Sequence, residues 1–256
     1  MPKVYTELED RILKRKWFYE FVLPSGRKTE LCISAALAEI HTTRLAMMFS
    51  VLDPMFRNRW ADVSVLDIAS HEGFFACHLA ARGCRRVLGI DARAEHIQNA
   101  SLIRDAFGYR NLEFSEGDAQ SLVADVFPPA EIVVMFGLLY HLENPIAIVR
   151  FGRALTKEVC LIETQIAPNL SGTIEWGSCH SHKKIPGTFA VIDERAEVST
   201  DNKEASVTGI SLVPSQEVLI WLLKRFGFNR VEIVPPPSDG YEQLVSGNRI
   251  MLAAFT

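Results

Sequence analysis

The amino-acid sequence holds no glycine-rich GxGxxG dinucleotide fingerprint, no long uninterrupted apolar run, no surplus of basic charge and no paired cysteine framework. Each absence closes a class. No stretch approaches the roughly 18 apolar residues of a membrane-spanning helix, and the N-terminal MPKVYTELEDRILKRKW carries charge without a signal-peptide core. The expectation is a soluble, cytoplasmic protein with no membrane partner. Lysine and arginine total 27 against 31 acidic residues, a net charge of −4, so a nucleic-acid partner needs a local basic patch. The five cysteines (Cys32, Cys77, Cys84, Cys160 and Cys179) are odd in number and mostly inside apolar runs, the pattern of reduced core thiols. There is no internal repeat and no low-complexity tract beyond Pro235-Pro236-Pro237.

What is present is an α/β pattern built around VSVLDIASHEGFF, residues 63–75. It reads as a buried strand over 63–68, a turn of small and polar residues and an apolar helix over 74–82. A strand that feeds a helix through a tight turn sets unpaired N–H groups and the positive end of a helix dipole at one place, where nucleotides and anions bind. About twenty residues on, VLGIDA supplies a second buried strand ending in Asp91, the acidic residue such folds set against a ribose hydroxyl. For Asp67 and Asp91 a turn or helix-capping role is the alternative.

Residues 1–60 read as an N-terminal extension and lid. They hold a helix over 6–15, an alternating stretch turning at Pro24-Ser25-Gly26, and a helix over 35–52 stopped by Asp53-Pro54. His41, Thr42 and Arg44 interrupt the apolar face of that helix: either they are solvated, or the segment covers a pocket and Arg44 reaches into it. Residues 61–256 form the main domain. Strands fall at 63–68, 86–91, 112–115, 132–136 and 159–163, with helices at 74–82, 94–107, 119–123 and 145–154, the rhythm of a doubly wound parallel sheet with its site at the carboxyl ends of the strands. A polar insertion at about 166–212 runs over the top of the sheet. A helix over 214–226 and strands at 230–234 and 249–255 bring the total to seven, the last pair an antiparallel edge.

The order DIASHEGF, GID, EGDAQ, FGLLYHLENP resembles the seven-stranded, Rossmann-like class I S-adenosylmethionine-dependent methyltransferases over 61–256. Within them it is similar to the branch related to the tRNA wobble-uridine (carboxy)methyltransferases, GLLYHLENP and IETQ being the most specific signals. The resemblance implies a methyltransferase with S-adenosylmethionine as cofactor. By it, Asp67, Ala69 and Gly73 line the methionine and ribose end, and Asp91 takes both ribose hydroxyls. Asp118 meets the adenine amino group with Ala119 nearby, Phe136 and Gly137 lie under the sulfonium, and Tyr140 and His141 stand near the methyl. Asp118 is otherwise a plain turn residue. Ala69 stands where such loops usually have glycine, and its methyl group narrows the pocket. Tyr140 and Arg249 match two of three residues that hold the carboxylate of a carboxylated cofactor; the third, a lysine, has no counterpart, so ordinary S-adenosylmethionine is expected.

His141 is the best candidate base, imidazole being the side chain that exchanges a proton near neutral pH; packing against the strand end is its alternative. Glu163 and Gln165, at the tip of the fifth strand, point to the same mouth and could orient an acceptor. In WGSCHSHKK, Cys179, His180 and His182 are ligand types and Glu175 could add a carboxylate. Adjacent Cys-His seldom converge on one ion, so a substrate-facing polar loop with Trp176 as an apolar wall is the favoured reading, and no metal is expected. The acceptor is expected to be an oxygen or nitrogen of a small molecule or sugar. A tRNA wobble base is the alternative, and a non-catalytic cofactor-binding scaffold the third reading.

Overall fold

The computed structural model describes every residue except 1–2, 176–181, 196–205 and 207. Helix α1 (Lys3–Leu13) leads into the short paired strands β1 (Lys16–Trp17) and β2 (Glu30–Leu31) and then into α2 (Ala35–Phe56). Next come β3 (Ser64–Ile68), α3 (Phe74–Ala81), β4 (Arg86–Asp91), α4 (Ala94–Phe107), β5 (Leu112–Glu116), β6 (Ala130–Phe136), α5 (Pro145–Leu155) and β7 (Thr156–Gln165). The insertion carries β8 (Gly172–Glu175), β9 (His182–Ile185) and β10 (Phe189–Asp193), and β11 (Ile210–Pro214) follows. The chain closes with α6 (Gln216–Arg225), β12 (Arg230–Val234), α7 (Glu242–Val245) and β13 (Arg249–Phe255).

Seven strands form one sheet in the order β12-β13-β7-β6-β3-β4-β5. The five central and right-hand strands are parallel, and β13 is antiparallel to both β7 and β12. Alternate residues of each strand enter opposite cores, as the period of two requires. Val65, Val87, Ile132, Val134, Leu161 and Met251 face the side that holds α2, α3 and α4, while Leu66, Ile90, Val133, Met135, Cys160 and Leu252 face α5 and α6. The strand order reverses between β3 and β6, so their carboxyl ends leave a crevice between them.

Helix starts follow from capping residues. Ser34, Asn144 and Ser215 accept the N–H of Leu37, Ala147 and Val218, and Pro145 occupies the first turn of α5, where a missing N–H costs nothing. Pro54 does not stop α2: the helix runs on to Phe56. Proline removes one hydrogen bond near the helix end, and full burial of Phe56 together with its ring contact to Trp60 at 5.5 Å holds the last turn in place. The stretch 119–123, expected as an α-helix, is instead a single 3₁₀ turn, Ala119–Ser121, capped by Asp118, because the chain moves directly to a second such turn at Ala124–Val126.

The N-terminal segment shares the sheet's core. Trp17, Tyr19, Phe21 and Leu23 alternate inward, and they pack in one cluster with Met47, Met48, Leu52 and Phe56 of α2 and with Phe74 and Phe75 of α3. The insertion contains β-structure that its polar composition does not announce: β8 pairs with β9, and β10 pairs with β11, all antiparallel. No helix among the described residues is long and apolar enough to cross a membrane. Phe56→Ala is expected to cost about 3–5 kcal/mol in a denaturant titration while the transition stays single; an independent early transition of residues 1–60 would show that the extension folds separately.

Candidate functional site

A cleft of about 940 Å³, its open mouth included, lies over the carboxyl ends of β3, β4 and β6, within the size range of small-molecule pockets. Of the residues expected at the site, Ala69, Asp91, Asp118, Ala119, Phe136, Tyr140 and His141 line it. Asp67, Gly73, Glu163 and Arg249 do not.

The loop between β3 and α3 is held from inside. Ser70 N donates to Ile90 O at 2.9 Å, Gly73 N to Ser70 O at 2.8 Å, and His71 N to Asp91 Oδ2 at 2.8 Å. These amides are therefore not free for a ligand, because the tight turn consumes them. Ala69 and His71 both adopt left-handed backbone, φ 61° and 52°, a strained conformation for side chains with a Cβ. Gly73, also left-handed at φ 78°, has a different duty from the one expected: a Cβ there would collide with the Phe114 ring and touch Ala100, so it allows α3 to pack on β5 and α4.

Asp91 ends β4 with three donors around its carboxylate. Oδ1 takes Arg93 N and His96 Nδ1, both at 3.0 Å, and Oδ2 takes His71 N. Burial alone raises its pKa, but the His96 contact and the backbone donors outweigh that and hold it below the ordinary aspartate value. It stays an anion with about one acceptor position left for a ligand. Beside it the His71 and His96 rings stack with centroids 3.7 Å apart. Asp67 lies beneath, 2% exposed, with Oδ2 lacking any partner. Burial, reinforced by the charge of Asp91, pushes its pKa up to about 8. It is a neutral acid inside the fold.

Asp118 takes the turn role, its Oδ1 accepting Gln120 N at 3.0 Å, and the residue also borders the cleft. On the opposite wall stand Phe18 and Tyr19. Glu72 Oε2 accepts both of their N–H groups, at 2.9 and 3.3 Å, tying the N-terminal segment to the β3–α3 loop. Phe18 rests on His71 at 4.9 Å, while Tyr19 stacks on Phe74 at 4.9 Å. A sequence signal for Phe18 exists, since the inward alternation of Trp17, Tyr19 and Phe21 leaves it on the other side.

His41 and Arg44 are buried at 3% and 5% exposure, so the solvated reading of α2 is wrong for both, and only Thr42 of the three faces outward. Arg44 lines the cleft and its Nη2 meets Glu163 Oε2 at 2.6 Å. Glu163, expected at the mouth, is fully buried beneath it, its oxygens also taking Gly137 N at 3.1 Å and Arg249 Nη1 at 3.2 Å. Three donors drew it under the floor. Gln165 is half-buried at the strand end, its backbone opposite Arg249.

His141 stands on the one-turn helix Leu139–His141, with Nδ1 3.4 Å from Glu194 Oε2. Glu194 is brought in by the insertion and further held by Ser206 N at 2.6 Å and Ser211 Oγ at 3.0 Å. Burial raises its pKa, yet His141, Ser206 and Ser211 together hold it below the ordinary glutamate value. A carboxylate only accepts, so in this contact Nδ1 carries the proton. No local pattern marks Glu194; a chain reversal between β10 and β11 delivers it. Trp176, Cys179 and His180 lie outside the described residues, as do the side chains of Glu175 and His182, and among the described residues no cluster of metal-ligand types forms.

A family model described as a methyltransferase domain matches residues 61–226. Among solved structures the chain is similar to the N-terminal domain of EvdMO1 with SAH bound, at 16% identity over 99% of this chain and 96% of that one, with a TM-score of 0.70. The same domain in the presence of SAH and D-fucose gives 16% identity, the same coverage and a TM-score of 0.68. Magnesium protoporphyrin IX methyltransferase (ChlM) from Synechocystis PCC 6803 with bound SAH gives 13% identity over 99% of this chain and 94% of that one, at a TM-score of 0.56. At these identities the likeness is one of fold. No curated protein matches.

Asp67→Asn tests the buried acid. The unfolded side chain loses its proton near pH 4 and the folded one at about 8, so the folded state holds the extra proton between them and stability falls as pH rises through that window. The variant is expected to lose most of this slope and to be more stable than the parent at pH 8, the difference shrinking toward pH 4 in thermal melts. Parallel pH profiles would show that Asp67 titrates normally.

Proposed function

The chain belongs to the methyltransferase-domain family and is an S-adenosylmethionine-dependent enzyme, and from that premise we propose that it methylates a hydroxyl oxygen of a small molecule of the sugar class. The observation that carries this reading is His141, bordering the cofactor cleft with its Nδ1 backed by Glu194.

The cleft fits the cofactor on its own chemistry. Asp91 offers an anionic acceptor, Asp118 and Ala119 make a mixed polar and apolar edge, and Gly137 leaves the floor bare of side chain. S-adenosylmethionine, when bound, supplies a methyl group on a positively charged sulfur, open to attack by an oxygen nucleophile. Phe136 and Tyr140 line that region. Arg249 spends its guanidinium on Tyr140, Glu163 and Gln243, which favours the ordinary cofactor over a carboxylated one.

A hydroxyl is a poor nucleophile until its proton has somewhere to go. His141 accepts that proton at Nε2, and Glu194 stabilises the resulting imidazolium while fixing the ring's orientation. Phe18, half-buried at the edge of the cleft, adds an aromatic side chain against which a sugar ring can pack, while the Tyr19 ring behind it is taken up by Phe74 and His41. Support for a sugar over a tRNA base comes from the net charge of −4, which provides no general attraction for polyanions, and from the shared fold with a domain solved alongside D-fucose.

The test is transfer of labelled methyl from S-adenosylmethionine to a panel of deoxy and amino sugars, glycosides, phenols and bulk tRNA. Label on a sugar oxygen is the expected result; label on tRNA alone overturns the reading. With the acceptor so found, His141→Ala is expected to lower turnover roughly 10²–10⁴-fold at unchanged cofactor affinity. Glu194→Gln, which removes the carboxylate that orients the ring, should lower turnover by a smaller factor than His141→Ala, again at unchanged cofactor affinity. Ala69→Gly, which removes both the left-handed strain and the intruding methyl, should tighten cofactor binding in calorimetry without lowering Tm. Weaker binding would show that the Ala69 methyl makes a useful contact.

A further inference from the structure

Arg44, Arg249 and Glu163 are 5%, 8% and 0% exposed, and their charges do not cancel. Two guanidinium groups share one carboxylate, through contacts of 2.6 and 3.2 Å, leaving one positive charge in excess in a place where unpaired charge is expensive. The two arginines differ. Arg249 is engaged at every nitrogen: Nε donates to Gln243 Oε1 at 2.7 Å, and Nη1 and Nη2 donate to the Tyr140 hydroxyl at 3.1 Å. Arg44 borders the cleft, and its Nε is buried without a hydrogen-bond partner.

Tyr140 adds a second unspent donor. Its oxygen accepts twice from Arg249, so its own proton is left to point elsewhere. Both groups meet at Gly137, left-handed at φ 68°: a Cβ placed there would lie 3.5 Å from Arg44 Nη2 and 3.5 Å from the Tyr140 hydroxyl. The absence of that Cβ leaves an opening flanked by a cation in excess and a hydroxyl donor. Planar recognition by a guanidinium with an adjacent donor suits a carboxylate.

We propose that Arg44 and Tyr140 form a carboxylate subsite at the bare face of Gly137, and that the carboxylate it takes is the aminoacyl end of S-adenosylmethionine. The subsite rests on the methyl-donor reading of the cleft. It gives α2 a direct share in cofactor binding: the sheet supplies Asp91 at one end of the cleft and the N-terminal segment supplies Arg44 at the other. His41, one turn earlier on α2, packs on the Tyr19 ring at 4.3 Å, and Glu194 is held by His141, Ser206 and Ser211.

Isothermal calorimetry with S-adenosylmethionine and with its decarboxylated analogue, which keeps the amine and loses only the carboxylate, reads the subsite without any acceptor. The wild-type chain is expected to prefer the intact cofactor by roughly 10–100-fold, the scale of one charge-assisted contact. Arg44→Gln should bring that preference to within about threefold by weakening the intact cofactor alone, and it leaves Glu163 paired one-to-one with Arg249, so the fold retains a balanced core. Tyr140→Phe, which keeps both arginines and Glu163, should reduce the preference roughly three- to tenfold and serves if the arginine variant does not fold. A full preference retained in the variants, equal binding of both ligands by the wild type, or equal weakening of both overturns the subsite while the methyl-donor reading stands. Failure of the wild type to bind either ligand removes both.

Discussion

The Glu163 carboxylate is the one charge on which the site's construction depends. Fully buried at the end of β7, it joins α2 through Arg44, the last strand through Arg249 and the end of β6 through Gly137 N. A carboxylate in that position is stable only because three donors replace the water it lost, and removing the carboxylate itself, which leaves two guanidinium groups buried without their counter-charge, costs about 3–5 kcal/mol. Segments at opposite ends of the chain are thereby tied under a single cleft. Breaking the tie would loosen floor and wall together.

A second tie sets the wall facing Asp118. Glu72, in the loop that leaves β3, accepts the N–H groups of Phe18 and Tyr19, so the motif loop and the N-terminal segment position one another. Burial raises its pKa even against the pull of His71 and of these donors. Around it the rings of Phe18, His41, His71, His96 and Phe74 touch in series, tilted to one another except for the stacked His71–His96 pair. Rigid rings with few rotamers give a wall of defined shape at small entropic cost. This accounts for strained backbone at Ala69 and His71: the loop is over-determined by bonds from Ile90, Asp91 and Ser70 on one side and by aromatic packing on the other.

The insertion completes the site from above. Its β10–β11 pair sets Glu194 against His141, and β11 leads directly into α6, whose cap Ser215 is bonded to Asn169 and Thr188 of the insertion. Selectivity can therefore vary in the insertion while the sheet keeps the rest of the cleft.

Local pattern was enough for the seven strands of the sheet, the helices α3, α4, α5 and α6 and the antiparallel edge, because buried parallel strands need unbroken apolar runs and capped helices need particular residues at their starts. Motif order was enough for Asp91, Asp118, Phe136, Tyr140 and His141 at one cleft, because a doubly wound sheet brings its strand ends to one edge. The tertiary structure decided what no short pattern encodes. Glu163 lies beneath the cleft and not at its mouth, because two arginines from distant segments hold it there. Gly73 serves packing on Phe114 and not the ligand, because α3 must approach β5 closely. The inward side of Arg44 and the approach of Glu194 depend on partners far away in sequence. A polar residue's direction is set by which partner can satisfy it, and that partner is known only once the chain has folded.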